Sequence, residues 1–233
     1  MTAYTKYAII VSGGTGNRME SPLPKQFIDL KGLPILMHSI SAFYKNADSI
    51  KIILVLNKAH QNIWEGLCIK YNFTIPYTLV YGGNSRFESV RNGLNFIVKK
   101  EANLEKCLIA VHDGVRPLIS QHLINEAYLF AQNKGSAVPA IKSKDSIRII
   151  AKDGYAKSID RDSVLLIQTP QVFQATLLSK AYQQAYEESF TDDASVIEKS
   201  GYPIHIIEGN IRNIKITYPT DLTIAEMWMG MST

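Results

Sequence analysis

Apolar and polar positions along the chain follow two alternating periods. Short runs that are rich in β-branched residues and bounded by turn residues predict strands at 7–11, 50–56, 78–81, 107–111 and 136–139. Between them, apolar residues recur at helical spacing, which predicts helices over 34–44, 61–71, 86–98 and 121–132. This alternation predicts an α/β fold of Rossmann-like type, with a mostly parallel sheet and helices on both faces. Ligands of such folds bind beyond the carboxyl ends of the strands.

Two of the predicted helices carry start signals of their own. Pro34 suits the first position of a helix, where a missing N–H costs nothing. Ser85 followed by Glu88 has the spacing of a capping box.

One segment, 145–161, departs from the alternation of predicted strands and helices. Two extended runs flank Asp153-Gly154, a pair that is typical of hairpin turns. An isolated two-stranded hairpin is marginally stable in water, so the segment either folds back on its own sheet or is covered by a second subunit. Because no linker or repeat divides the chain, we expect one domain over 1–233 that carries a β-arm over 142–162.

Composition narrows the classes of protein. Hydrophobic residues make up 46% and charged residues 20% of the 233 positions, as in ordinary globular proteins. The net charge of +4 is a mild excess, and the short lysine groups at 99–100 and 142–144 are typical of a solvated face. We therefore expect no nucleic-acid partner.

Location and metal content follow from similar considerations. The beginning of the chain lacks the features of a signal peptide, and no apolar run approaches the roughly 20 residues of a membrane span. Cys68 and Cys107 lack CxxC spacing and are expected to be core thiols in a reducing compartment. The five histidines show no metal-ligand spacing. We expect a cytoplasmic protein with no membrane partner and no zinc site.

The stretch VSGGTGNRMESPLPKQF, residues 11–27, holds the first candidate chemistry. Glycines directly after a strand let the backbone approach a ligand closely, and successive N–H groups can hold phosphate oxygens. The dinucleotide fingerprint would need glycine where Met19 stands, and no P-loop pattern is present. Glycines alone would equally suit a tight exit from the strand.

Two cations in the same stretch favour a ligand. Arg18 and Lys25 bring permanent positive charge to the glycine-rich loop, and Pro22 and Pro24 stiffen the chain between them. Stiffening reduces the entropy that is lost when Lys25 is held in place. The stretch is therefore predicted to bind a nucleoside triphosphate.

The combination of GGTGNRM with PKQF resembles the signature of the sugar-phosphate cytidylyltransferases. The resemblance spans nearly the whole chain, through GGNSRFESVRNGL (82–94), VHDGVRP (111–117), QTPQVF (168–173), TDDASVIE (191–198) and NIKIT (213–217). It implies transfer of a cytidylyl group from CTP to a polyol phosphate. The implied acceptor is 2-C-methyl-D-erythritol 4-phosphate, of non-mevalonate isoprenoid synthesis, and the alternative is ribitol 5-phosphate, of teichoic acid synthesis.

The implied reaction joins two anions, so cations must stabilise the charge that develops on the α-phosphate. By resemblance, Arg18 and Lys25 fill that catalytic role, and Lys215 is a further catalytic cation aimed at the same phosphate. Asp113 is the expected Mg²⁺ ligand, since Mg²⁺ takes one or two carboxylates plus substrate phosphates; a turn or cap role is its alternative. Arg116 is expected to contact the substrate phosphate, with a surface ion pair as its alternative.

The resemblance also implies how the nucleotide is recognised. The expected nucleotide-binding residues are Ser12, Gly13, Gly14, Thr15, Gly16, Asn17, Gly83, Asn84 and Ser89. The family usually has Ala-Ala-Gly at 12–14 and aspartate at 84, whereas this chain has Ser-Gly-Gly and asparagine. Contacts that the backbone makes with the nucleotide do not depend on these side chains, so both changes leave them possible. GGTG is also common in the ribitol branch, which keeps that alternative open.

The arm supports the methylerythritol acceptor. By resemblance, Ser146 is a substrate-binding residue that keeps the hydroxyl of the family's KDT motif. Arg161 is an expected catalytic residue, because it matches an arginine that reaches the substrate of the other subunit, which implies a homodimer. Thr169 either adds a substrate contact or has only a turn role. A catalytically silent nucleotide-binding module is disfavoured, because the four residues Arg18, Lys25, Asp113 and Lys215 are all present.

Overall fold

A mixed sheet of eight strands forms the centre of the protein in the computed structural model, which describes residues 4–14, 19, 21–46, 49–152 and 154–231. The strands are β1 (Thr5–Ser12), β2 (Asp29–Leu30), β3 (Leu33–Pro34), β4 (Lys51–Leu56), β5 (Thr78–Tyr81), β6 (Cys107–Asp113), β7 (Ser136–Lys142), β8 (Ile147–Ile150), β9 (Ala156–Ile159), β10 (Leu165–Ile167), β11 (Gln171–Gln174) and β12 (Ile206–Glu208). The helices are α1 (Ile35–Tyr44), α2 (Gln61–Lys70), α3 (Arg86–Lys100), α4 (Gln121–Lys134), α5 (Ala175–Ala181), α6 (Asp193–Lys199) and α7 (Pro219–Gly230).

The main sheet has the order β10-β7-β11-β6-β1-β4-β5, and β12 pairs with β7. Strands β6, β1, β4 and β5 are mutually parallel, and Ile9 lies opposite both Ile53 and Val111. Strand β11 inserts antiparallel between β6 and β7. The predicted mostly parallel sheet is therefore confirmed.

Strand β1, which lies between β6 and β4, is buried on both faces, and this explains its continuous apolar run. Ala8 and Ile10 pack with buried residues of α1 and α4. Tyr7 and Ile9 face the other way and pack with α3, α5 and α6. Helices thus cover both faces, as the sequence predicted.

All five predicted strands and all four predicted helices form, with ends shifted by a few residues. Two local predictions were wrong. Pro34 is the N-cap residue of α1 rather than its first residue, and it pairs with Asp29 in a two-stranded ladder. Glu88 does not complete a capping box with Ser85; its carboxylate accepts from the backbone N–H of Asn84 at 2.7 Å, while the Ser85 side chain caps α3 as expected.

The predicted hairpin also forms. Strands β8 and β9 pair antiparallel, with Ile147 opposite Ile159, and within the described residues they pair with no other strand. Gly154 has φ +84°, a turn conformation that suits glycine, and Asp153 lies outside the described residues. Ile150 and Tyr155 are 81% and 75% exposed. The hairpin therefore leaves apolar surface uncovered.

The loops that carry the candidate site residues lie along one edge of the sheet, the one formed by the carboxyl ends of its parallel strands. The parallel strands β1, β5 and β6 end there, and the antiparallel β11 begins there. The arm leaves from the end of β7 at the same edge, because β7 runs parallel to β6. In the described part of the chain, no helix has the length and apolar character needed to cross a membrane.

Candidate active site

The glycine-rich loop begins at the carboxyl end of β1. Ser12, Gly13 and Gly14 border a cavity of about 250 Å³ at this edge. The side chain of Ser12 is turned away from solvent, and its hydroxyl has no hydrogen-bond partner among the described residues. The Ser12 hydroxyl is therefore buried rather than presented to the cavity. Thr15, Gly16, Asn17 and Arg18, which were also predicted to belong to this site, lie outside the described residues.

The chain returns to this loop through Lys25 and Gln26, which open a 3-10 turn over Lys25–Phe27. Lys25 lines the same cavity. The buried amide of Gln26 donates to the carbonyl oxygens of Ser12 at 3.3 Å and of Gly14 at 3.4 Å. Gln26 thereby fastens the segment that carries Lys25 to the glycine-rich loop. Its role was missed from the sequence, although it stands in the PKQF motif.

A second glycine loop, between β5 and α3, forms the opposite wall. Gly83 donates its N–H to the Ser89 hydroxyl at 3.1 Å, and that hydroxyl donates to the Ser85 carbonyl at 2.9 Å. A β-carbon on Gly83 would come within 2.4 Å of the Glu88 β-carbon, so the loop requires glycine there. The hydroxyl of Ser89 thus shapes the loop, while Asn84 is exposed at its tip and lines the cavity.

A second cavity of about 250 Å³ adjoins the first. The two cavities share three residues: Arg86, Asp113 and Lys215. Arg116 and Thr169 line only the second cavity. Two compartments therefore meet at one charged cluster.

Asp113 is the centre of that cluster, at the end of β6. Its carboxylate lies 3.1 Å from Lys215 Nζ, 3.4 Å from Arg116 Nε and 3.6 Å from Arg86 Nε. Burial alone would raise the pKa of Asp113, but the charges of Arg86, Lys215 and Arg116 outweigh it and hold that pKa well below its usual range. Asp113 is therefore an anion throughout the physiological range.

Buried hydrogen bonds fix the loop after Asp113. The Asp113 N–H donates to the Thr169 hydroxyl at 3.0 Å, and that hydroxyl lies 3.2 Å from His112 Nδ1. His112 Nε2 lies 3.2 Å from the Arg116 carbonyl oxygen. Burial lowers the pKa of His112 to about 4. A neutral His112 that accepts from Thr169 and donates to Arg116 satisfies every group in this chain of contacts.

Asn213 joins the Lys215 segment to the same loop. The side-chain amide of Asn213 donates to the Thr169 backbone carbonyl at 2.8 Å, and the backbone carbonyl of Asn213 accepts from Arg116 Nη1 at 2.7 Å. Arg116 is buried and paired with Asp113, so the alternative of a surface ion pair is wrong. Arg116 also lines the second cavity, and its contact with a substrate phosphate stays a prediction. Neither Asn213 nor Arg86 was singled out from the sequence, although each stands inside a motif that was.

The structure leaves the two arm residues away from this cluster. Ser146 and Arg161 are exposed, and Arg161 Nη1 donates to the Lys144 carbonyl at 3.3 Å. Neither residue is among those that line the two cavities of the same chain.

The donor set for a metal is small. Within residues 4–14, 19, 21–46, 49–152 and 154–231, no group of three or more histidine, cysteine, aspartate or glutamate side chains could hold a metal ion. Asp113 offers one carboxylate at the junction of the cavities. This set fits Mg²⁺ that arrives with phosphate oxygens as its other ligands, and it does not fit a metal held by protein alone.

Comparison with known proteins gives a consistent result. The model of the family described as 2-C-methyl-D-erythritol 4-phosphate cytidylyltransferase matches residues 7–231. A protein of that name from Porphyromonas gingivalis is 46% identical over 224 residues, covering 95% of this chain and 96% of the relative. One from Azobacteroides pseudotrichonymphae is 48% identical over 223 residues, covering 95% and 97%.

Solved structures agree with these relatives. A 4-diphosphocytidyl-2C-methyl-D-erythritol synthase from Anaerococcus prevotii superposes with a TM-score of 0.81 at 29% identity, covering 98% of this chain and 97% of that one. A 2-C-methyl-D-erythritol 4-phosphate cytidylyltransferase from Thermus thermophilus superposes with a TM-score of 0.76 at 27% identity, covering 99% and 100%. The chain belongs to the 2-C-methyl-D-erythritol 4-phosphate cytidylyltransferase family.

Proposed function

We propose that the protein transfers a cytidylyl group from CTP to 2-C-methyl-D-erythritol 4-phosphate, in the non-mevalonate route to isoprenoids. The products are 4-diphosphocytidyl-2-C-methyl-D-erythritol and pyrophosphate. Beyond family membership, one observation supports this most: Asp113 and Lys215 border both a glycine-walled cavity and an arginine-lined cavity. A reaction between two bound phosphates needs such a junction.

The nucleotide would occupy the cavity between the two glycine loops. Gly13, Gly14 and Gly83 present backbone there, and Asn84 offers a side-chain carbonyl that can accept from the amino group of cytosine. Lys25 lies on the same cavity and can reach triphosphate oxygens. Thr15, Gly16, Asn17 and Arg18 remain proposals from the sequence, as does a supporting role for Ser12 and Ser89.

The acceptor phosphate would occupy the second cavity, beside Arg116 and Thr169. One of its oxygens attacks the α-phosphorus of CTP, a new P–O bond forms, and the bond to the β-phosphate oxygen breaks as pyrophosphate leaves. Lys215 stands between the two compartments and Lys25 borders the first, so both can stabilise the charge that develops at the α-phosphate. Catalysis is then a matter of positioning and electrostatics.

Mg²⁺ belongs to this proposal as a companion of the triphosphate. Asp113 would hold it, and the ion would neutralise phosphate charge in the cavity that it shares with Lys215. Lys215 carries a side chain that is 41% exposed, so it can leave Asp113 for a phosphate when the substrates bind.

A pyrophosphate-release assay tests the proposal. CTP, ATP and GTP are each offered with 2-C-methyl-D-erythritol 4-phosphate, and CTP is also offered with ribitol 5-phosphate. We expect turnover with CTP and the methylerythritol acceptor, and none when a chelator removes divalent cations. Preference for ribitol 5-phosphate would overturn the acceptor, and equal use of ATP or GTP would overturn the cytosine assignment.

We also propose that the whole chain, 1–233, is one domain, and that its arm, 142–162, packs on a second subunit to form a homodimer. The exposed apolar side chains of the arm support this, since Ile150 and Tyr155 are among the most exposed large apolar residues. Ser146 and Arg161 would then serve the acceptor site of the partner. Their absence from the lining of the cavities of their own chain is consistent with that role.

Mixing two inactive variants tests the shared site. If the arm acts across the interface, a dimer of Arg161→Ala with Lys25→Ala has one site with both lesions and one with neither, so activity returns after subunit exchange. If the arm acts within its own chain, every site keeps one lesion. Lasting inactivity despite demonstrated exchange would contradict the proposal.

A cytoplasmic location is the remaining part of the proposal. Cys68 and Cys107 are both free thiols, as is usual for proteins of reducing compartments. Fractionation of cells that produce the protein would test this, and enrichment outside the cytoplasm would overturn it.

A further inference from the structure

Arg86, the first residue of α3, lies between two carboxylates that come from distant parts of the chain. Its two terminal nitrogens contact Asp193, with Nη1 3.0 Å from Oδ1 and Nη2 2.7 Å from Oδ2. Its Nε lies 3.6 Å from Asp113 Oδ1, which is longer than a hydrogen bond. Arg86 thus binds Asp193 through both terminal nitrogens, which together are called the fork here, and it makes only a long contact with Asp113.

Asp193 is itself held firmly. It is fully buried in the first turn of α6, and its Oδ1 accepts from the Tyr182 hydroxyl at 2.6 Å. The Tyr182 ring stacks on Phe87 with the ring centres 4.7 Å apart. The position of the Arg86 fork is therefore fixed by a carboxylate that lines neither cavity.

This arrangement matters because a guanidinium prefers to bind a carboxylate through two parallel hydrogen bonds. Among the described residues, Asp113 is the other carboxylate that lies within 4.0 Å of Arg86, so a guanidinium that Asp193 did not hold would turn to it. A two-nitrogen pair would occupy both oxygens of Asp113 and block its access to any other cation. The other two cations at Asp113 do not form such a pair: Arg116 offers Nε at 3.4 Å, and Lys215 offers a single ammonium group.

We propose that Asp193 is a positioning residue, which binds the Arg86 fork and so keeps an oxygen of Asp113 accessible to the divalent cation that accompanies the triphosphate. The inference rests on the proposed function, since it assumes that a metal–nucleotide complex reaches Asp113. It assigns no contact with substrate to Asp193.

The test compares how strongly a divalent cation improves binding of a nucleotide. Calorimetry gives the affinity of the protein for α,β-methylene-CTP, a CTP analogue that cannot transfer its cytidylyl group, once with Mn²⁺ and once with EDTA. The ratio of the two affinities is the metal gain. General damage to the fold weakens both affinities and leaves the metal gain unchanged.

In Asp193→Asn, the fork is released toward Asp113, so we expect the metal gain to fall by roughly tenfold. Tyr182→Phe is the matched control, because it removes the other hydrogen bond of Asp193 and leaves the fork in place; we expect lower stability and an unchanged metal gain. The double variant Arg86→Gln with Asp193→Asn removes the competing cation and should restore the metal gain.

Arg86→Lys keeps the test decisive if Asp193→Asn does not fold. A lysine paired with Asp193 has no second nitrogen for Asp113, so we expect a metal gain at least as large as in the wild type. A wild-type metal gain in folded Asp193→Asn, an equal loss in Tyr182→Phe, or a loss in Arg86→Lys would each overturn the inference. If the wild type binds the analogue equally well with Mn²⁺ and with EDTA, the inference is overturned, and cytidylyl transfer is still decided by the pyrophosphate-release assay. If the wild type does not bind the analogue at all, the proposed function is contradicted.

Discussion

The backbone N–H of Asp113 donates a hydrogen bond of 3.0 Å to the hydroxyl of Thr169, 56 residues further along the chain. This bond joins the end of β6 to the segment that precedes β11. It orients the only carboxylate that both described cavities share.

Removing that hydroxyl should impair turnover more than folding. We expect Thr169→Val to lower kcat by roughly 10–100-fold, because a small displacement of a group at a reaction centre is costly. Thr169→Ser, which keeps the hydroxyl, should retain most of the activity. Steady-state kinetics for CTP and the acceptor check this. If instead only the KM for the acceptor rises, Thr169 acts as a substrate contact, which is the other role that the sequence suggested.

His112 should make the protein sensitive to acid. Its pKa is lowered from the ordinary 6.5 to about 4 in the folded protein, so the unfolded chain takes up a proton first as the pH falls. The stability that the neutral His112 contributes is therefore fully present above the pKa of the unfolded chain, 6.5. It is lost as the pH falls from that value to the pKa of the folded protein, about 4. From pH 7 to about pH 5 we expect the free energy of unfolding to fall by about 2 kcal/mol.

Urea denaturation across this pH range gives the required measurement. His112→Gln, which cannot gain a proton, is the control and should show a much flatter dependence. Equal slopes for the two proteins would mean that other groups cause the acid sensitivity.

The two cations of the glycine-rich stretch should matter for rate rather than for stability. We expect Lys25→Ala and Arg18→Ala each to lower kcat by roughly 10²–10³-fold, as for loss of one donor to a developing negative charge. Lys99→Ala, which removes an exposed lysine from the far end of α3, is the matched control and should be neutral. A kcat that falls only in proportion to unfolded protein in a melting curve would show that these cations are structural.

Ser12 provides a test of how the nucleotide is bound. Its hydroxyl is buried without a partner among the described residues, so Ser12→Ala should raise the free energy of unfolding by about 1 kcal/mol and leave KM for CTP unchanged. Ser39→Ala is the control, since the Ser39 hydroxyl donates to the Gly114 carbonyl at 3.0 Å, and we expect a loss of about 1 kcal/mol. A large rise in the KM for CTP in Ser12→Ala would show that the hydroxyl contacts the nucleotide.

The sequence predicted the elements well because strands and helices leave local signals. The apolar run of β1 and the capping serine of α3 are each a signal confined to a few neighbouring residues. The two wrong local predictions, at Pro34 and Glu88, concern which residue of a helix start makes a contact. Such details depend on neighbouring segments, here β2 and the loop at Asn84.

The site was only partly predictable for a related reason. Its charged residues stand inside recognisable motifs, so Asp113, Arg116 and Lys215 were identified in advance, and the structure brings them together. Arg86 was not, because its partner Asp193 lies 107 residues away and nothing near either residue indicates the pairing. Contacts of this range are set by the packing of α3 and α6 against the sheet.

The proposal that Asp113 stands at the centre of cytidylyl transfer is tested most directly by identifying the product. Phosphorus NMR follows CTP and 2-C-methyl-D-erythritol 4-phosphate with wild-type protein and with Asp113→Asn in the presence of Mg²⁺. We expect the wild type to form a diphosphate-linked cytidyl product and pyrophosphate in equal amounts, and Asp113→Asn to lose most of this activity while it remains folded. Formation of CMP in place of the linked product, or full activity in Asp113→Asn, would contradict the account.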